Sequence, residues 1–131
     1  MLNVRSNIVV TPSLRDVIPT SGPVDELVIT GTGFTEAIDV GTFAEGIAFL
    51  LTASTGGTNP TLDCDIQYGF LDSDNQYHWI DSGDSFTQIT ANGLGFKKFS
   101  TNFGKYIRFR LKVGGTNSPT FTTTMRVALK G

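Results

Sequence analysis

Apolar and polar residues alternate with a period of two over much of the chain, the pattern of strands that bury one face and wet the other. In TLDCDIQYGF the apolar positions are Leu62, Cys64, Ile66, Tyr68 and Phe70, with Asp63, Asp65 and Gln67 between them. KYIRFRLKV sets Ile107, Phe109, Leu111 and Val113 on one side and a basic stripe, Arg108, Arg110 and Lys112, on the other. FTTTMRVALK repeats the pattern with Phe121, Met125, Val127 and Leu129. GIAFLLTAS is apolar at almost every position, which predicts a strand covered on both faces. Weaker strands are expected over ELVIT, QYHWID and SFTQIT, with another near GFKKF, and no stretch of twelve residues carries a helical period.

Between the long strands the same turn is spelled twice, GGTNPTLD at 56–63 and GGTNSPTFT at 114–122. Glycine permits positive φ, asparagine tolerates it, and proline keeps the residue before it extended. Gly56, Gly57, Asn59 and Pro60 therefore predict one hairpin tip, and Gly114, Gly115, Asn117 and Pro119 a second, equivalent one. Strands of this length with frequent turns predict an all-β fold, an antiparallel β-sandwich of jelly-roll type, over residues 25–131.

Residues 1–24 differ. They hold three prolines, Pro12, Pro19 and Pro23, and only a broken alternation of Leu2, Val4, Ile8, Val10 and Leu14. That composition predicts an extended arm, long enough at ~3.3 Å per residue to reach well beyond one small domain. Two roles are open to it: its apolar residues bind a partner, or the arm closes an edge of its own sandwich.

Charge changes the picture more than composition does. Residues 1–96 hold all twelve acidic and two of the ten basic residues, a charge of −10, while residues 97–131 carry +8. Either strands from the two parts interleave, so that Asp63 and Asp65 meet Arg108, Arg110 and Lys112 across a sheet, or opposite faces await neighbouring subunits. With a pI near 5.2 and no nucleic-acid-binding motif, the basic stripe is not expected to contact nucleic acid. No apolar run approaches the ~20 residues of a membrane span, and the N-terminus lacks the pattern of a secretory leader. The single cysteine, Cys64, fits synthesis in a reducing compartment and could pair only between chains.

Candidate chemistry is sparse. The one histidine, His78, has no second His or Cys to complete a metal site or a nucleophile–base pair. Asp72-Ser73-Asp74-Asn75 opens like a calcium loop, but Tyr77 and Gly83 stand where that loop needs glycine and glutamate. No enzyme activity, metal or cofactor is expected. Tyr77 and Trp79 would stack on a sugar ring if exposed, whereas a buried Trp79 is core.

The run from FLLTASTGGTNPTLDCDIQYGFLDSDNQYHWID through SFTQIT to FGKYIRFRLKVGGTNSPTFTTTMRVALKG, about residues 47–131, resembles a family of small tailed-phage virion proteins. Its members carry a Gly-Thr-x-Pro-Thr turn, an Asp-rich turn before Trp, a Tyr-x-Arg strand and a closing Gly-Gly-Thr-x-Pro turn. Gly56, Gly57, Pro60, Trp79, Gly114, Gly115 and Pro119 match that pattern, and Asn75 departs from it where glycine is expected. The resemblance implies a bacteriophage head-decoration or cement protein, made in the host cytoplasm, that binds the outer surface of the shell. Its implied partners are the major capsid protein and sister copies, as a homotrimer, with no catalytic residues to carry over. A carbohydrate-binding module and a tail or head–tail connector component remain the alternatives.

Overall fold

The computed structural model describes residues 8–10, 14–15, 26–41, 45–100 and 105–130. In chain order the strands are β1 (Ile8–Val10), β2 (Leu14–Arg15), β3 (Glu26–Ile29), β4 (Thr32–Thr35), β5 (Ile38–Asp39), β6 (Glu45–Thr55), β7 (Thr58–Leu71), β8 (Tyr77–Ser85), β9 (Gly93–Ser100), β10 (Tyr106–Thr116) and β11 (Thr120–Lys130). All pairings between them are antiparallel. Sheet A runs β1-β11-β6-β9, with β3 also on β11, and sheet B runs β2-β4-β10-β7-β8, with β5 also on β10. From β3 onward the long strands change sheet at every step except β7 to β8, which is the jelly-roll order.

The alternation read from the sequence sets the core. Leu62, Cys64 and Ile66 of β7 and Ile107, Phe109 and Leu111 of β10 face Ala48 and Leu50 of β6 and Phe121, Met125, Val127 and Leu129 of β11, all buried. Each large side chain removed from water in this way contributes about 1.5–3 kcal/mol. Thr35 is also buried, and its hydroxyl accepts the amide of Phe109 at 2.9 Å and donates to the Glu36 carbonyl at 3.1 Å, so it brings no unpaired group inside.

The repeated turns are not hairpins. β6 lies in sheet A and β7 in sheet B, and likewise β11 and β10, so both GGTN segments arch from one sheet to the other. Their partners are each other: Thr55 pairs with Thr120 and Thr58 with Thr116, on either side of the crossing. The Asn117 side-chain amide donates to the Thr58 hydroxyl at 3.1 Å. Gly57, at φ 71°, lies so close to Pro119 that a Cβ would come within 2.6 Å of that ring, and at Gly115, φ 111°, one would come within 2.8 Å of the Asn59 carbonyl. The same letters recur because the two arches stack on one another at one end of the sandwich.

Two further expectations are corrected. SFTQIT forms no strand beyond Ser85; it runs beside β7 through the Phe86 amide on the Cys64 carbonyl and an Ile89–Leu62 bridge, then crosses to β9. GIAFLLTAS is covered on one face only. Ala48, Leu50 and Thr52 are buried, while Phe49 and Leu51, which point away from the core, are exposed. Of the arm, Leu2 and Val4 lie outside the described residues. The backbone of Ile8 and Val10 pairs with Leu129 and Val127, and that of Leu14 with Thr35, so these positions border their own two sheets. Cys64 is fully buried between the sheets, which closes it to pairing between folded chains, and burial, with Asp65 beside it, pushes its thiol pKa up.

Candidate functional site

Three surfaces carry side chains that packing does not use. The first is the outer face of sheet B, where the register opposes Arg108 to Gln67, Arg110 to Asp65 and Lys112 to Asp63. Arg110 donates to Asp65 from Nη2 at 2.6 Å and from Nε at 3.2 Å, and Asp65, chiefly through this hydrogen bond, holds the guanidinium pKa above its usual value. Asp81 lies 3.9 Å from the same guanidinium. Gln88 donates to Asp63 at 3.1 Å, and the Arg108 Nε donates to Gln67 at 2.7 Å, whose own amide donates to Asp81 at 2.8 Å. Half-exposed pairs of this kind contribute about 0–1 kcal/mol each and serve mainly to fix register.

Aromatic rings join that network. Trp79 stands opposite Gly69 with its indole so close that a Cβ at position 69 would lie 2.5 Å from the ring. The Arg108 guanidinium sits 4.5 Å from the indole centroid and 4.2 Å from the Phe34 ring, and Tyr77 stacks on Trp79 at 5.5 Å. Tyr106 meets Tyr77 edge-on at 5.3 Å. Trp79 is thus neither core nor an open platform: it lies half-buried on the outside of the sandwich, with two planar groups already stacked on it.

The second surface is the outer face of sheet A. Phe49 opposes Phe96 and Leu51 opposes Leu94 across β6 and β9, and exposures of 36, 62, 53 and 66% make them one contiguous apolar patch. Arg126 of β11 lies opposite Phe49 on one side, and Lys98 follows Phe96 along β9 on the other. The sequence patterns mark no residue of this patch as functional. Its signal was there, because an almost wholly apolar β6 must expose one face unless something covers it, and in GLGFKKF Leu94 and Phe96 alternate oppositely to Phe99.

The third is the end of the β7–β8 hairpin. Its turn is built on Asp72, whose Oδ1 accepts the amides of Asp74 at 2.8 Å and Gln76 at 3.0 Å, and whose Oδ2 meets His78 Nε2 at 2.6 Å. Asn75 takes φ 61°, the left-handed conformation that the glycine expected there would supply. Behind the turn, Phe70 stacks on His78 at 5.0 Å. Phe70 and Ile80 belong to the inward-pointing set, yet they are 59 and 68% exposed, because sheet A does not cover this end of sheet B.

The tips Gly56, Gly57, Asn59 and Pro60 lie against Gly114, Gly115, Asn117 and Pro119 at the arch end of the sandwich, next along the β7–β10 ladder from Asp63 and Lys112. Among the described residues no group of three His, Cys, Asp or Glu side chains could hold a metal ion, and no helix is long and apolar enough to cross a membrane. No family model and no curated protein matches the chain. Among solved structures it is similar to a "Family 16 Carbohydrate Binding Module-2", at 15% identity and a TM-score of 0.42, over 76% of this chain and 73% of that one.

Proposed function

We propose that this chain is a structural virion protein, a bacteriophage head-decoration subunit that coats the outer surface of the shell through the major capsid protein and sister copies. The observation that carries this reading is the bare outer face of sheet A: Phe49, Leu51, Leu94 and Phe96 form an apolar patch with a cationic border. A contiguous patch of this kind on a small domain marks a protein-contact surface, and copies repeated on a lattice need only a modest interface each. The resemblance of residues 47–131 to small virion proteins supports the same reading. The test is to prepare particles with and without this chain and heat them. Heads lacking it should release their DNA at a lower temperature, and antibody should label the head surface. Equal heat stability, or labelling confined to the tail, overturns the proposal, the latter in favour of a connector or tail role.

A second reading, a carbohydrate-binding module, is favoured by Tyr106, Tyr77 and Trp79 beside Gln67 and Asp81: planar rings next to hydrogen-bonding groups on a wet sheet face. Retardation in gels containing soluble polysaccharide, abolished in Tyr77→Ala, would support it; unretarded migration would sink it.

A further inference from the structure

We infer that the end of the β7–β8 hairpin of one copy docks on the outer face of sheet A of the next, joining copies head to tail. This rests on reading the chain as an assembly subunit and says which of its surfaces meet. The two surfaces match in chemistry and oppose in charge. The receiving face offers Leu94 and Phe96, with Lys98 beyond Phe96 along β9 and Arg126 across β6 beside Phe49. The hairpin end offers Phe70 and Ile80, exposed on one side of the ribbon, with the carboxylates of Asp72 and Asp74 in the turn.

Charge decides which apolar surface meets which. Two receiving faces brought together would set Lys98 and Arg126 of one copy near those of the other, and two hairpin ends would oppose Asp72 and Asp74 to themselves. Only the unlike pairing brings carboxylates to cations while burying both apolar sets. Such a contact is heterologous: every copy keeps one hairpin end and one face, so the contact either closes into a ring or runs on as a chain. The carboxylate tip also keeps the hairpin soluble before docking, since an exposed apolar edge strand without charge would pair indiscriminately.

Sedimentation velocity on the full chain over a range of concentrations tests this. The wild type should associate as concentration rises, and less in high salt, where the border charges are screened. Phe96→Asp removes the face and Ile80→Asp removes the hairpin end. Each variant alone should stay monomeric, whereas an equimolar mixture should form a one-to-one dimer and nothing larger, because each retains the half that the other lacks. Leu94→Asp and Phe70→Ser form a second such pair, and far-UV circular dichroism shows which variants keep the fold. A wild type that is monomeric at every concentration, a folded single variant that still associates, or a mixture that stays monomeric overturns the contact. A monomeric chain on heads that antibody labels removes this contact and leaves the decoration reading standing. Association as expected with no particle labelled does the reverse.

Discussion

Asp72 shows how much one short side chain can organise. Its carboxylate holds the hairpin turn through two backbone amides and His78, and these bonds, the one from His78 foremost, hold its pKa below the ordinary carboxylate value. A carboxylate whose folded pKa is depressed contributes stability that is fully present above its unfolded pKa of about 3.9 and is lost as pH falls through the lower, folded value. The turn should therefore survive mild acid and loosen only below the usual carboxylate range. Carbon-detected NMR titration of the Asp72 carboxyl should show this, and His78→Ala should return its midpoint toward the ordinary value. An Asp72 that titrates normally in the wild type would remove the argument. At the same scale, Trp79 was legible from sequence only as a choice between core and sugar platform. Its actual place depends on Gly69 leaving room beneath the ring and on Arg108 standing two strands away, and neither neighbour is visible before the register is known.

Among the elements, the two arches separate glycines that look alike in sequence. Gly56 and Gly57 both have φ 71°, but a Cβ on Gly56 would meet nothing within 4 Å, whereas one on Gly57 would strike Pro119, backbone included, at 2.6–2.8 Å. Gly56→Ala should cost the backbone strain alone, about 1–2 kcal/mol. Gly57→Ala should add about 1–3 kcal/mol of overpacking to that strain. Urea denaturation of the two variants checks the difference, and equal midpoints would contradict the stacking of the arches. The alternation made β6, β7, β10 and β11 readable because each buries one side of a regular ladder. It could not distinguish a hairpin from an arch, since a Gly-Gly turn permits both and the choice is made by partners some sixty residues away, Thr55 with Thr120 and Thr58 with Thr116. SFTQIT carries the right composition for a strand, yet beyond Ser85 its backbone meets, among the described residues, only Cys64 and Leu62 of β7.

For the whole molecule, the lopsided distribution of charge along the chain is met in part within one subunit. Arg110 with Asp65, Lys97 with Asp84 and Lys105 with Asp39 join early and late segments within one subunit. The acidic hairpin end and the cation-bordered face of sheet A lie on different parts of the surface, and there the separation of charge persists. The arches have one more consequence. β6 and β7 form a single run across the crossing, as do β10 and β11, and each run supplies a central strand to both sheets. Opening β6 from β11 would strip the cover from Ile66 and Phe109 in the opposite layer, and opening β7 from β10 would do the same to Leu50 and Met125. Neither layer can melt by itself. Native-state amide exchange should thus give the central strands of the two sheets the same opening free energy, a single cooperative unit rather than two, and a sheet that exchanged well ahead of the other would refute it.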